Sequence, residues 1–106
     1  MPSITKSRIY VDAHIEDDVS LGQVAHAVNV SANYFSELVK KATGINFVDY
    51  VSRVRVEKTK HLLLDQSRQI TEIAFDVGFK SLSQFNRTLR RHVGMTPREY
   101  RVHAVA

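Results

Sequence analysis

The chain has 106 residues but no cysteine and no tryptophan, and it contains four glycines and two prolines. Without cysteine there are no disulfides, no thiolate catalysis and no zinc–thiolate sites. The four scattered glycines make no glycine-rich phosphate loop. No apolar run approaches the roughly 20 residues of a transmembrane helix, and no signal-peptide pattern is present. We therefore expect a single cytoplasmic domain.

A catalytic or metal site also lacks its usual sequence signals. The five histidines show no metal-ligand spacing and no HExxH pattern: they are His14, His26, His61, His92 and His103. We expect these side chains to lie on the surface. The sequence thus predicts no catalytic residue, no metal and no cofactor, and it argues against an enzyme.

The net charge of +4 is moderate but unevenly spread. Six basic residues and one acid lie between Phe79 and Arg101, whereas Met1 to Val19 holds two basic residues and four acids. A basic excess at one end of a chain suits a polyanionic partner such as a nucleic acid.

That basic end has the pattern of two short helices around a glycine, ITEIAFDVGFKSLSQFNRTLRRHVGMTPREYR. Apolar residues recur at helical spacing before the turn, at Ile70, Ile73, Ala74 and Val77. Gly78 provides the left-handed residue that stops a helix. Ser81 and Gln84 form a capping-box pattern that opens the next helix. This arrangement predicts a helix-turn-helix.

The second helix of this pair divides into two kinds of surface. Leu82, Phe85 and Leu89 share an apolar side. The remaining faces carry Ser83, Gln84, Asn86, Arg87, Arg90 and Arg91. Asn, Gln and Arg have the donors and acceptors that read base edges, and Arg also suits phosphates. The alternative is an amphipathic hairpin with a solvated basic face.

The same pattern occurs earlier in the chain, which favours the first interpretation. Ala25 matches Ala74 at an offset of 49 residues, and after the turn Ser31 matches Ser81 at an offset of 50. Phe35, Gly44 and the pair Lys40–Lys41 match their counterparts at the same second offset. The extra residue falls in the turn, where insertions are tolerated.

A long helix is predicted between the two copies. We expect one domain over 1–106, with lobes over 9–45 and 70–101 and a linker helix over 46–65. The apolar residues of the linker helix should pack in the first lobe (Phe47, Tyr50, Val51 and Val54) and in the second lobe (Val56, Leu62 and Leu63). We further expect a loose leader over Met1–Lys6, a short helix over Ile9–Asp17 and a frayed tail over Val102–Ala106.

The chain resembles the AraC/XylS family of bacterial transcription regulators from about Ile9 to Arg101. The resemblance rests on LGQVAHAVNVSANYFSELVKKATG, on VSRVRVEKTKHLLL and above all on the motif of the second lobe. It implies an all-α fold of seven helices, with two homeodomain-like three-helix units joined by a long linker helix.

The resemblance also implies which residues bind double-stranded DNA. Base reading falls on Asn33, Ser36, Glu37, Ser83, Gln84, Asn86 and Arg87. Phosphate contacts fall on Lys40, Lys41, Lys80, Thr88, Arg90 and Arg91, to which we add the helix-opening Ser31 and Ser81. Several relatives carry Arg or a similar donor where this chain has Glu37. Glu37 either accepts from cytosine N4 or is simply solvated.

The implied function is transcription regulation, with activation and contact with RNA polymerase as the expected mode, in the bacterial nucleoid. We expect the domain to be monomeric in isolation and to form the C-terminal part of a longer regulator. The alternatives are a complete single-domain regulator and a helical protein-interaction module. An interaction module would want an exposed apolar groove, whereas the predicted exposed faces are polar or basic.

Overall fold

The computed structural model describes residues 3–17 and 19–105. Within this part the chain forms seven α-helices and no strand, which confirms the predicted all-α fold. They are α1 (Ser3–Ala13), α2 (Leu21–Ala27), α3 (Ala32–Thr43), α4 (Phe47–Leu63), α5 (Ile70–Asp76), α6 (Leu82–Val93) and α7 (Pro97–Val105). None of these helices is both long and apolar enough to cross a bilayer.

The chain divides into two compact units, Met1–Val54 and Arg55–Ala106. The boundary falls inside α4, so each unit takes part of this helix. Asn46 opens α4 by accepting the N–H of Asp49 on its side-chain oxygen at 2.9 Å. The helix ends at Leu63, two residues before the end predicted for it.

The first unit packs α1, α2 and α3 against the beginning of α4. Its buried residues are Val11, Ile15, Val24, Ala25, Val28, Phe35, Val39, Phe47, Tyr50, Val51 and Val54. The ring of Phe35 meets that of Phe47 edge to face, with centroids 5.9 Å apart, a favourable aromatic geometry. All four α4 residues predicted for the first lobe therefore lie in this core.

The second unit repeats the arrangement with the end of α4, α5, α6 and α7. Its buried residues are Val56, Leu63, Ile73, Ala74, Val77, Phe79, Phe85 and Leu89, and Leu62 packs against them. Phe79, from the turn, lies with its ring centroid 5.0 Å from that of Phe85. The α4 residues predicted for the second lobe are thus confirmed as well.

The predictions for the two ends of the chain were wrong. Residues Ser3 to Lys6 belong to α1, because Ile4 packs on the first core and its carbonyl accepts the hydroxyl of the buried Ser7 at 2.7 Å. The helix ends at Ala13, and residues 14–17 form a turn. There the Tyr10 carbonyl accepts the backbone N–H of His14 at 3.1 Å and also lies 2.9 Å from Nδ1 of the same residue.

At the other end, α7 continues to Val105 where fraying was expected. Arg101 anchors this helix, because its guanidinium donates to the carbonyls of Leu63 and Asp65 at 2.9 and 3.1 Å. Met1, Pro2, Asp18 and Ala106, which belong to the predicted leader, helix and tail, lie outside the described residues.

Candidate nucleic-acid interface

The turn between α2 and α3 is set by a left-handed residue and a cap. Asn29 has a φ of 61°, as its short polar side chain permits. The N–H of Val30 donates to the Ala25 carbonyl at 3.0 Å. Ser31 then accepts the N–H of Tyr34 on its hydroxyl at 3.2 Å and opens α3. The turn thereby fixes where the exposed face of α3 begins.

The turn between α5 and α6 follows the same plan with one more residue. Gly78 has a φ of 94°, and the N–H of Phe79 donates to the Ala74 carbonyl at 3.0 Å. Ser81 caps α6 by accepting the N–H of Gln84 at 3.1 Å. Lys80 stands between Phe79 and the cap and has no counterpart in the first turn, so it is the extra residue of the second copy.

Only one of the two hydrogen bonds of the predicted capping box forms in α6, the one from the backbone N–H of Gln84 to the hydroxyl of Ser81. In α2, Gln23 reaches back to the N–H of its own cap residue, Ser20, at 3.1 Å. In α6, the side-chain oxygen of Gln84 instead accepts the N–H of Lys80 at 2.8 Å. The inserted residue supplies a nearby N–H that needs a partner, and Gln84 takes it.

Both second helices end in the same way. Gly44 and Gly94 have φ values of 78° and 81°, and their N–H groups donate to the carbonyls of Lys40 and Arg90. The last turns carry Lys40 and Lys41 in α3, and Arg90, Arg91 and His92 in α6. Basic side chains at a helix C-terminus are stabilised by its partial negative charge.

The exposed face of α3 holds all the residues that the sequence assigned to it. Phe35 and Val39 are completely buried, and this turns the opposite side of the helix outward. The side chains on the outer side are exposed: Asn33, Ser36, Glu37, Lys40 and Lys41. Two polar groups, one acid and two ammonium groups therefore share one solvent-facing helix surface.

The exposed face of α6 is more basic. Phe85 and Leu89 are completely buried, as predicted. The exposed residues are Ser83, Asn86, Arg87, Arg90 and Arg91, whereas Gln84 and Thr88 are half-buried. No acid occurs within α6. This helix thus offers amide, hydroxyl and guanidinium groups to an anionic surface.

Some of these groups already have partners within the chain. The hydroxyls of Ser31 and Ser81 accept their capping N–H groups, which leaves each O–H as a donor. A guanidinium nitrogen of Arg90 lies 3.5 Å from a carboxylate oxygen of Glu99. Both of those side chains are more than half exposed, so the ion pair is weak and can exchange for a phosphate.

Two exposed apolar residues next to these faces were not predicted. Leu82 was expected to point inward, but it is 40% exposed because it is the first residue of α6 and precedes the buried turn of that helix. It lines a shallow groove with Asn86, Thr71 and Arg98. Tyr34 is 55% exposed in the first turn of α3. The sequence signal for both is their place in the opening turn of a second helix.

Arg55 in α4 makes a hydrogen bond within the chain. Its Nε donates at 3.1 Å to the carbonyl of Val77, the C-cap residue that follows α5. In residues 3–17 and 19–105 there is no group of three His, Cys, Asp or Glu side chains that could hold a metal ion. The exposed polar and basic side chains of α3 and α6 make these two helix surfaces the candidate site.

Two helix–turn–helix units in tandem, each with an exposed polar and basic second helix, define a DNA-binding domain. Residues 24–103 match the model of a helix-turn-helix domain family. A crystal structure of an AraC-type DNA-binding-domain regulator from Chromobacterium violaceum has a TM-score of 0.91 and 31% identity, over 96% of this chain and 91% of that one. This chain belongs to the AraC/XylS family of transcriptional regulators, whose members are not enzymes.

Two further similarities concern the length of the chain relative to a related protein and its fold. The regulatory protein PocR of Salmonella typhimurium is 40% identical over 96 residues, which make up 91% of this chain and 32% of that protein. The chain thus spans about a third of that relative. The DNA-binding domain of AdpA, solved with its target DNA, has the same fold at a TM-score of 0.85 and 20% identity, over 97% of this chain and 93% of that one.

Proposed function

We propose that the chain binds double-stranded DNA at specific sequences by placing α3 and α6 in two successive major grooves. The proposal rests on a feature that α3 and α6 share, a buried apolar side opposite an exposed polar and basic side. Each one buries an aromatic and an aliphatic residue and presents hydroxyl, amide and basic side chains on its other side. A major groove admits one α-helix, and side chains of this kind match the base edges in it.

The base-reading roles follow from the chemistry of each side chain. Arg87 donates two hydrogen bonds to guanine O6 and N7, and Asn33 and Asn86 pair with adenine. Ser36 and Ser83 make single hydrogen bonds to either kind of edge. Glu37, which occupies the position equivalent to Arg87, accepts from the N4 amino group of cytosine. Different readers in the two halves make the preferred site asymmetric.

The remaining exposed donors hold the DNA backbone. Phosphate contacts fall on Ser31, Lys40, Lys41, Lys80, Ser81, Thr88, Arg90 and Arg91. Such contacts fix the register of the protein without reading sequence. If both helices do not reach straight DNA together, the duplex bends at a cost of about 1–6 kcal/mol, which the second set of contacts offsets.

The proposed organisation is one DNA-binding domain over 1–106 with its linker over 46–65, monomeric in isolation. The share of PocR that matches supports a place within a longer regulator, and we assign the C-terminal end of it. In the bacterial nucleoid such a regulator activates transcription through contact with RNA polymerase.

Selection of bound duplexes from a random pool, followed by affinity measurements at two salt concentrations, tests the proposal. We expect one asymmetric consensus and an affinity that falls steeply with salt, because bound phosphates release counterions. Arg87→Ala should weaken binding, whereas Arg8→Ala, which removes an exposed charge from α1, should change it little. A failure to enrich any sequence, or an affinity indifferent to salt, would instead favour a protein-interaction module.

A further inference from the structure

We infer that Gln84 is a positioning residue, which holds the backbone of Lys80 so that the Lys80 ammonium reaches a DNA phosphate. This inference rests on the proposed function, and it replaces the base-reading role that the family resemblance implies for Gln84. The amide of Gln84 faces the turn, where a backbone N–H can only donate. The group that meets Lys80 N at 2.8 Å is therefore the amide oxygen, which identifies the orientation of the side chain.

The position of Lys80 explains why its backbone N–H is available to Gln84. Up to Phe79 the two turns are equivalent, since Val30 and Phe79 make the same backbone hydrogen bond. The first copy then passes directly to its cap, Ser31, whereas the second inserts Lys80 before Ser81. An inserted residue lengthens the connection, and its N–H lies outside the helical hydrogen-bond pattern. The bond from Gln84 ties it to the third residue of α6.

The first copy, in which the residue equivalent to Lys80 is missing, has no equivalent of the hydrogen bond between Gln84 and Lys80. The residue equivalent to Gln84 in α3 is Tyr34, which is exposed and whose backbone N–H alone takes part in the cap. Lys80 itself is exposed, at the start of the helix that we place in the groove. A lysine just before a reading helix lies where the DNA backbone flanks the groove.

The test compares Gln84→Ala with Lys80→Ala and with their double variant on the selected duplex. The logarithm of affinity falls with the logarithm of salt concentration by about 0.9 for each phosphate neutralised. Glutamine is uncharged, so its removal changes this slope only through another residue. We expect both single variants to reduce the slope by up to about 0.9, and the double variant to add nothing further.

Gln23→Ala is the matched control. Gln23 has the same place in α2 as Gln84 has in α6, and it also supports its helix cap, but α2 is outside the proposed interface. This variant should lower the thermal midpoint to a similar extent and leave the salt slope unchanged. Thermal melts of all variants show that each one folds.

Two results would overturn the inference. Gln84→Ala could keep the full slope and change the preferred base at one position, which would make Gln84 a base reader. It could also keep both slope and preference and lose only thermal stability, which would make it a helix cap alone. If the unaltered chain selects no sequence and shows no salt dependence, the proposed function itself fails, and that outcome is seen before any variant is made.

Discussion

Val30 and Phe79 occupy the same place in the two turns, and each donates its N–H to the carbonyl five residues earlier at 3.0 Å. The equivalence shows that the duplication extends to the backbone of the turns. It also locates the difference between the copies in the following residue, Lys80. The two halves thus have the same backbone arrangement and differ in the side chains that it exposes.

The first prediction concerns the pair of equivalent positions Glu37 and Arg87. Arg87→Ala should cost about 1–3 kcal/mol of binding free energy and relax the preference at one guanine. Glu37→Gln should relax the preference at a different position, where cytosine is selected. Selection repeated with each variant measures both effects. A uniform loss across all sequences would assign Arg87 to phosphate, and an unchanged consensus would leave Glu37 merely solvated.

The second prediction concerns the glycines that end α3 and α6. A Cβ added at Gly44 or Gly94 meets nothing within 4 Å, so the cost of alanine there is the strain of the positive φ, about 1–2 kcal/mol. Gly22 lies inside α2, also with open space around it, and alanine there should stabilise the fold by roughly 0.5–1 kcal/mol. Urea unfolding of the three variants measures these differences. Equal effects at Gly22 and Gly94 would contradict the account.

The third prediction concerns Arg101, which joins α7 to the end of α4. Its guanidinium donates to two carbonyls at once, a geometry that a lysine ammonium does not reproduce. Arg101→Lys should therefore destabilise the fold by about 1–3 kcal/mol although it keeps the charge. Arg98→Lys, at an exposed position in the first turn of α7, is the control. Chemical denaturation should separate the two variants clearly, and no difference would refute the anchoring role.

The fourth prediction concerns pH and the connection between α4 and α5. The hydroxyl and N–H of Ser67 donate to the Asp65 carboxylate and lower its pKa, with smaller contributions from the charges of Arg68 and Arg101. A carboxyl whose pKa is lower in the folded chain stabilises the fold above its unfolded pKa of about 3.9. That contribution is lost as the pH falls through the folded value.

Ser67→Ala should accordingly raise the pKa of Asp65 towards its ordinary value, and a carboxyl titration followed by NMR would show it. Gln66→Ala, an exposed neighbour whose side chain has no part in this hydrogen bonding, should leave the titration unchanged. An Asp65 titration that is the same in the Ser67 variant would show that the backbone N–H of residue 67 and the nearby charges, and not the hydroxyl, lower the pKa.

Much of this fold could be predicted because its local signals agree with one another. Ser31 and Ser81 cap the helices that they were predicted to open, and Gly78 adopts the predicted left-handed conformation. The inward residues of α6 also follow from the 3.6-residue period, with the exception of Leu82. A residue at a helix terminus has neighbours on one side only, so periodicity is a poor guide to its burial.

Long-range hydrogen bonds could not be predicted from the sequence. Arg101 meets residues 36 and 38 positions earlier in the chain, and Arg55 meets a carbonyl 22 positions later. No local pattern encodes such contacts. The partner of Gln84 was missed for a related reason, because the capping-box pattern specifies a side chain at the third helical position but not which of two adjacent N–H groups it takes.

Hydroxyl-radical footprinting of the selected duplex by the monomeric chain shows whether one chain occupies two major grooves. If α3 and α6 lie in successive major grooves, we expect two protected stretches whose centres lie about 10 base pairs apart on one face of the DNA. Asn33→Ala should weaken one stretch and Arg87→Ala the other. A single protected stretch, or a palindromic footprint that forms only when two chains bind, would contradict the proposal that one chain reads two successive major grooves.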